Sequence, residues 1–265
     1  ERVGLVAASH GSAWTNSIFM SRSFGQDGKG TDNTMLVSDM ADAMKATGKK
    51  FDFLLFDACF MGTAEVCYDL RDAADYQIVS VMEVPAYGFP YESSLDYLYE
   101  GTVDGYKKIC QAYTDFYKQR YENGNQAWGT IALIDSKEME GLADATRAEI
   151  VEHKDVLGND FDESDIQEYG KQGGRGIAYD LGQLMAVLNN GTMPDAFADQ
   201  LNKTVLYKSC LEIANPSSHK VDAANYCGLG VYIPIRYNDN WNDFFKTISW
   251  YTVAGWNEVT FSWDF

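Results

Sequence analysis

The chain has 265 residues, of which 46% are hydrophobic and 14% aromatic, and this composition is typical of a folded globular protein. We therefore expect a single domain over residues 1–265. The formal net charge of −18 repels phosphate backbones and anionic lipid surfaces and favours cationic ligands, which argues against nucleic-acid and membrane-surface functions.

Five short runs rich in β-branched and aromatic residues predict buried, parallel strands at 3–9, 51–57, 76–81, 128–135 and 229–234. Between them, apolar residues at three- and four-residue steps predict helices, with faces at Leu36, Met40 and Met44 and at Tyr106, Ile109, Cys110, Tyr113, Phe116 and Tyr117. Strands that alternate with amphipathic helices predict an α/β fold, a three-layer αβα sandwich with a mostly parallel central sheet.

Polar residues that follow apolar strands are the first candidates for a functional site, because reactive groups of parallel sheets collect beyond the carboxyl ends of the strands. His10 and Gly11 follow the first predicted strand, and Cys59 follows the second, which ends at Asp57. A thiol becomes a good nucleophile when a nearby imidazole favours the thiolate. Cys59 as nucleophile with His10 as its acid/base partner is therefore one interpretation of these positions.

The residues around Cys59 and His10 add two expectations. The segment 60–66 is typical of a turn into a helix, so we expect Cys59 at a helix N-terminus, where the helix dipole favours a thiolate. Gly11 has no Cβ, so its backbone N–H can approach a tetrahedral oxyanion together with that of Cys59. Cys59 as a small buried core residue and His10 as a hydrogen-bonded structural residue stay open on the residue pattern alone.

Metal and disulfide chemistry find little support in the sequence. The five cysteines are too few for a disulfide framework, and neither they nor the three histidines have the spacing of a zinc site. The acidic stretch 157–176 suggests a calcium site. The EF-hand pattern, however, would need glycine at position 165 and glutamate at position 171, where this chain has Asp165 and Lys171. We expect a solvated acidic loop and no cofactor, with a structural calcium ion left open.

Several segments together resemble the clostripain-like cysteine peptidases, a family in the clan of the caspases, legumains and gingipains. The segments VAASHGSAW and RSFGQD are similar to the family's histidine region, and FDFLLFDACFMGTAEVCYDLRDAADY is similar to its cysteine region. The stretch VMEVPAYGFPY at 81–91 and the late strand CGLGVYIP resemble further parts of the family, so the similarity spans about residues 3–235.

The resemblance implies a caspase-like fold and a cysteine endopeptidase that cuts protein or peptide substrates after arginine or lysine. It makes His10 and Cys59 the catalytic dyad and places Gly11 at the oxyanion position. It makes Asp57 a candidate acidic wall of the pocket for a basic P1 side chain, although a strand-end aspartate can also cap the following helix. Glu83 is a second acidic candidate for the pocket, for which a solvated charge at a strand end is the favoured interpretation.

The resemblance also implies self-processing within the polar segment 21–33, after Arg22 or Lys29, and a secreted or cell-envelope location in a bacterium. Family members have one or two strands before the histidine strand, so an N-terminal fragment that completes the sheet is an expected partner. The competing hypothesis is a catalytically silent caspase-like fold that acts as a secreted binding module. A serine hydrolase that uses Ser9 or Ser12 is disfavoured, because no GxSxG motif is present.

Overall fold

The computed structural model describes residues 2–14, 35–121, 128–159, 161–172, 175–212, 220–236, 239–263 and 265. The strands are β1 (Gly4–Ala8), β2 (Phe51–Asp57), β3 (Ala74–Val79), β4 (Trp128–Asp135), β5 (Glu168–Gln172), β6 (Arg175–Asp180), β7 (Val205–Glu212) and β8 (Gly230–Val231). The α-helices are α1 (Val37–Ala46), α2 (Ala64–Asp69), α3 (Tyr91–Glu100), α4 (Val103–Tyr121), α5 (Met139–Glu152), α6 (Lys154–Leu157), α7 (Leu181–Leu188), α8 (Asp195–Thr204), α9 (Asp239–Phe245) and α10 (Ser249–Val253). Short 3-10 helices cover Ser136–Glu138 and Trp256–Glu258.

Five strands form the central sheet in the order β1-β2-β3-β4-β7. Strands β1, β2 and β3 are parallel, whereas β4 runs antiparallel to both β3 and β7. One strand of five thus opposes the others, which confirms the mostly parallel sheet but contradicts a parallel β4. The reversal arises because two helices, α3 and α4, separate β3 from β4 and return the chain to the edge at which β3 ended.

A second sheet joins β5, β6 and β8 in three antiparallel strands. The prediction that 229–234 is a strand of the central sheet is therefore wrong. Only Gly230–Val231 is extended there, and it pairs with β6 through Asp180 and Tyr179. A single bridge between Thr63 and Gly230 connects this sheet to the segment between β2 and α2.

The alternation of side chains along the central strands builds two separate cores, one on each face of the sheet. On β2, Phe53 and Leu55 pack into one cluster, whereas Leu54 and Phe56 pack into the other. Helix α4 covers the first face with the predicted apolar residues Tyr106, Ile109, Cys110, Tyr113 and Tyr117, all buried. Helices on both faces of one sheet confirm the three-layer sandwich.

The end of α4 also supports the chain near the carboxyl edge of the sheet. The Tyr117 hydroxyl donates hydrogen bonds to the carbonyl oxygens of Gly88 (2.7 Å) and Pro85 (3.2 Å). These residues lie in the connection between β3 and α3, which passes over the end of β2. None of the helices in the described ranges has the length and apolar character needed to span a bilayer.

Candidate active site

The parallel pairing of β1 with β2 brings the predicted histidine and cysteine segments to one edge of the sheet. Ala8 is opposite Asp57 in the register, and the Ser9 N–H donates to the Asp57 carbonyl oxygen at 3.2 Å. His10 therefore leaves β1 beside the segment that carries Cys59. The His10 side chain is exposed and the Cys59 side chain is half-buried, so a substrate can approach both at this edge.

Gly11 packs tightly against the segment that carries Cys59. A Cβ atom at this position would lie 2.3 Å from the Cys59 carbonyl oxygen and 3.1 Å from both the Ala58 Cβ and the Met61 Sδ. Since real Cβ atoms do not come so close to a backbone oxygen, only glycine lets the histidine segment pack against the cysteine segment. The glycine predicted for its N–H group is thus also required by the packing.

Cys59 does not lie at a helix N-terminus, so that prediction is wrong. Helix α2 begins only at Ala64 and has six residues, and the chain turns between Cys59 and the helix. The turn is fixed at Gly62, where a Cβ would lie 2.7 Å from the Val81 nitrogen, and at Phe60, whose φ is 59°. A helix cannot start at Cys59 because the chain first has to pass this close contact with the segment after β3.

Val84, in the segment after β3, makes two polar contacts with the Cys59 sulfur. The Val84 N–H donates to Sγ at 3.4 Å, and the protonated thiol donates to the Val84 carbonyl oxygen at 4.0 Å. A hydrogen bond to the charged form stabilises a thiolate, so the Val84 amide supplies support that was expected from a helix dipole. Sequence reasoning missed Val84, since a backbone amide carries no signal in its residue type.

Asp57 faces the connection between β3 and α3 and does not cap a helix. Its Oδ2 accepts hydrogen bonds from the Phe89 N–H (3.2 Å) and the Tyr91 hydroxyl (2.8 Å). The residue at the N-cap of α2 is Thr63, so the helix-cap interpretation of Asp57 is wrong. Gly88 has a φ of +67°, and a Cβ there would meet Asp57 Oδ2 at 2.6 Å, so glycine is needed for this contact as well.

The other sequence candidates have mixed outcomes. Glu83 is half-buried and its Oε2 is buried, so its carboxylate is not fully solvated as the strand-end interpretation expected. Ser12 is buried, whereas Ser9 is exposed. The predicted processing residues Arg22 and Lys29 lie outside the described residues.

The thiols of the other four cysteines are poorly suited to act as nucleophiles. Burial raises the pKa values of Cys67, Cys110 and Cys227 well above the usual value of a thiol. Burial also raises the pKa of Cys210, to about 11. All five cysteines are free thiols, and Cys59 is the one located at the carboxyl edge beside the histidine segment.

The prediction of a solvated acidic loop at 157–176 is only partly right, because Glu168–Gln172 forms strand β5 and Ile166 and Tyr169 are buried. Asp162 and Asp165 are exposed, and Asp162 Oδ1 accepts a hydrogen bond from the Ser164 N–H at 3.0 Å. Asp160 lies outside the described residues. Across the ranges that the structure describes, no three His, Cys, Asp or Glu side chains cluster in a way that would hold a metal ion.

The sequence profile of the clostripain family, peptidase family C11, matches residues 1–263. The chain belongs to the clostripain family. No curated protein matches it. Among solved structures, a B. fragilis cysteine protease has 29% sequence identity and a TM-score of 0.80, with 89% of this chain and 98% of that chain covered.

Two further clostripain-family structures are similar over nearly the whole chain. One is an inactive zymogen of a C11 protease from Parabacteroides distasonis, with 27% identity, a TM-score of 0.78, and 96% of this chain and 70% of that chain covered. The other is a secreted C11 cysteine protease from Bacteroides thetaiotaomicron in complex with an irreversible peptide inhibitor. It has 29% identity, a TM-score of 0.77, and 98% of this chain and 74% of that chain covered.

The chain is therefore a cysteine-type peptidase with the caspase-like fold of clostripain-family proteins. The predicted family and fold class are confirmed, and the hypothesis of a catalytically silent binding module is wrong. The site features that sequence reasoning missed are the Val84 amide and the Tyr91 hydroxyl. The only signal was indirect, in the Tyr-Gly-Phe-Pro-Tyr run at 87–91, where Gly88 stands at the position that approaches Asp57.

Proposed function

We propose that the protein is a cysteine endopeptidase that cuts after arginine or lysine, with Cys59 as nucleophile and His10 as acid and base. The observation that carries the proposal is the register of β1 and β2, which brings the two segments to the same exposed edge of the sheet. The packing of Gly11 against Cys59 and the Val84 amide on Sγ support it.

In the proposed reaction, the Cys59 thiolate attacks the scissile carbonyl carbon and forms a C–S bond, and the carbonyl electrons move to oxygen. The N–H groups of Gly11 and Cys59 stabilise this oxyanion. Collapse of the intermediate breaks the C–N bond while the His10 imidazolium gives its proton to the leaving amine. His10 then accepts a proton from water, whose oxygen attacks the thioester carbon. Cleavage of the C–S bond releases the carboxylic acid product and restores the Cys59 thiolate and the His10 imidazolium.

Asp57 is the proposed partner of the P1 cation. It lies two residues before Cys59 and is half-buried, so a side chain that enters beside the nucleophile would meet a carboxylate that is partly shielded from water. A charge-assisted hydrogen bond of this kind contributes roughly 1.5–3 kcal/mol, which corresponds to about tenfold to a hundredfold discrimination over a neutral residue. The net charge of −18 would add a smaller, salt-sensitive attraction for basic substrates.

Self-processing after Arg22 or Lys29 is part of the proposal, and the description of the P. distasonis relative as an inactive zymogen supports it. Intact-mass analysis of fresh and aged protein is expected to show a cut within 21–33 that Cys59→Ala does not acquire. A cut that forms equally in both proteins would assign it to another protease.

The cellular location and the partners of the protein are proposed from its membership in the clostripain family. We propose a secreted or cell-envelope bacterial protein, in line with the secreted B. thetaiotaomicron relative. We also propose that the reaction needs no metal or other cofactor, because Cys59 and His10 supply the nucleophile and the proton donor. A strand from an N-terminal fragment is proposed to pair with β1, because β1 is at the end of the sheet order in the described residues.

Covalent labelling tests the nucleophile and the P1 residue together. Peptide probes with one electrophile and either arginine, lysine, asparagine, aspartate or leucine at P1 are incubated with the protein, and the labelled residue is mapped by mass spectrometry. We expect labelling of Cys59 by the arginine and lysine probes only. Cys67→Ala, which removes a buried thiol, should label normally, and a Cys59→Ala protein that still labels at another residue would refute the assignment.

A further inference from the structure

The two oxygens of the Asp57 carboxylate have unequal surroundings. Oδ2 accepts two hydrogen bonds, from the Tyr91 hydroxyl at 2.8 Å and from the Phe89 N–H at 3.2 Å. Among the residues that the structure describes, no donor makes a hydrogen bond to Oδ1. The carboxylate is thus held in place through Oδ2, while the acceptor sites of Oδ1 are not used by the described residues.

This asymmetry affects lysine and arginine differently. An ionised carboxylate has about four lone-pair sites, and a guanidinium makes its strongest contact when it donates to both oxygens at once. With two donors already on Oδ2, the second bond of the bidentate pair has to compete with Tyr91 and Phe89. A lysine ammonium is a compact charge that can use Oδ1 alone.

The Tyr91 hydroxyl donates to Oδ2 from a side chain that is 37% exposed and otherwise packed against the protein. Burial raises its pKa above the usual value, and the hydrogen bond to Asp57 raises it further, so the phenol keeps its proton and remains a donor. The Tyr91 ring lies beside that of Phe89, with ring centroids 6.4 Å apart, so both donors to Oδ2 come from one short segment.

We propose that Tyr91 is a specificity-determining residue that lowers the preference for arginine relative to lysine at P1. It does so by occupying Oδ2 of Asp57 and thereby denying the guanidinium its second hydrogen bond. This inference rests on the proposed function, since it requires Asp57 to receive the P1 cation. Tyr91→Phe keeps the ring and frees one site on Oδ2.

The test is kcat/KM for two fluorogenic peptides that differ only in lysine or arginine at P1. We expect Tyr91→Phe to raise the arginine-to-lysine ratio about threefold to tenfold, the range expected when one charge-assisted hydrogen bond is gained in part. The matched control is Tyr117→Phe, which removes a hydroxyl that supports the same segment at Gly88 but makes no bond to Asp57. The ratio in this control should stay at the wild-type value.

An unchanged ratio in Tyr91→Phe would overturn the inference, because the hydroxyl would then not compete with the guanidinium. An equal rise in Tyr117→Phe would also overturn it, since displacement of the segment would explain the change. A wild-type enzyme that cleaves neither peptide would instead contradict the proposed P1 function. The two failures are thus distinguishable within one set of measurements.

Discussion

Asp57 ends strand β2 and Asp180 ends strand β6, yet their carboxylates meet very different surroundings. Asp180 is fully buried, and both of its oxygens accept hydrogen bonds. The donors are the Tyr169 hydroxyl (2.7 Å), the Cys227 N–H (2.7 Å) and the Gln183 N–H (2.8 Å). Asp57 is half-buried, and one of its oxygens accepts no hydrogen bond from the described residues.

The two aspartates differ because the chain takes a different course after each strand. Helix α7 begins directly after Asp180, so the carboxylate caps it through Gln183 and is enclosed by β5 and the segment before β8. After Asp57 the chain makes a turn and reaches α2 only at Ala64, which leaves the carboxylate at the open edge of the sheet. A strand-end aspartate is therefore structural where a helix begins at once and available to a ligand where a turn intervenes.

The largest expected effect is on peptide hydrolysis and concerns His10 and Cys59 at the carboxyl edge of the central sheet. Cys59→Ala and His10→Ala should each lower kcat/KM at least about 1,000-fold, and the double variant should be no worse than either one, because the pair acts as a unit. The melting temperature should stay within about 2 °C of wild type, since Cys59→Ala removes a single half-buried sulfur atom. Hydrolysis and calorimetry on the same samples provide the check. Turnover that survives in Cys59→Ala would contradict the mechanism.

The second prediction is that substitution of the buried Asp180 lowers stability, whereas substitution of Cys59 or His10 lowers activity. Asp180→Ala should lower the free energy of unfolding by roughly 3–5 kcal/mol, because α7 loses its cap and the Tyr169 hydroxyl and Cys227 amide lose their acceptor. Urea unfolding followed by tryptophan fluorescence measures this loss.

Asp180→Asn is the matched control, because it keeps the size of the side chain and one acceptor oxygen. It should cost less, roughly 1–2 kcal/mol. If Asp180→Ala instead kept full stability and lost labelling at Cys59, the division between a structural and a functional aspartate would be refuted.

Part of this division was predictable from the sequence. Strands β1, β2 and β4 match the predicted segments closely, because each is an apolar run bounded by polar residues. The strand ends then indicated His10 and Cys59 as neighbours, and the β1–β2 register agrees with that expectation. A run of apolar residues does not encode its direction, so the antiparallel course of β4 depends on the helices before it.

The remainder of the site depends on contacts between distant segments. Val84 reaches Cys59 from the connection after β3, and Tyr91 reaches Asp57 from the start of α3; neither residue type signals such a contact. The expected helix at Cys59 failed for a related reason, since Gly62 packs against the segment after β3 before α2 can begin. Strand β7 was missed because it comes after α8 without a break and its residues are mostly half-buried, so no clear alternation appears.

The third prediction concerns the ligand role of Asp57. Asp57→Asn should lower kcat/KM for lysine and arginine peptides about tenfold to a hundredfold and leave that for a leucine peptide nearly unchanged. The matched control is Glu83→Gln, which removes the other nearby acidic candidate and should have a smaller effect. If Asp57→Asn keeps the preference for basic residues, the pocket assignment fails and Glu83 becomes the carboxylate to test.

The last prediction concerns a carboxylate that is close to Cys59 in sequence but is enclosed by the protein, as Asp180 is. Glu65 is fully buried in α2, and its Oε1 accepts a hydrogen bond from the Tyr232 N–H at 2.7 Å. Burial raises its pKa from 4.5 to about 7. Between these pH values the folded protein holds a proton on Glu65 that the unfolded chain has released, so stability falls as pH rises.

The contribution of Glu65 is therefore fully present below pH 4.5 and is lost as the pH rises through about 7. We expect a decrease in the free energy of unfolding of about 2–3 kcal/mol over this window. Glu65→Gln cannot ionise, so its stability should change less between the two pH values, and urea unfolding at pH 5 and pH 7.5 measures the difference. Buried Asp180 should contribute with the same sign in both proteins, because its pKa is also raised by burial, and the comparison removes it. An equal change in the free energy of unfolding between the two pH values in wild type and Glu65→Gln would mean that Glu65 ionises as readily when folded as when unfolded. Glu65 would then resemble the accessible Asp57 and not the enclosed Asp180.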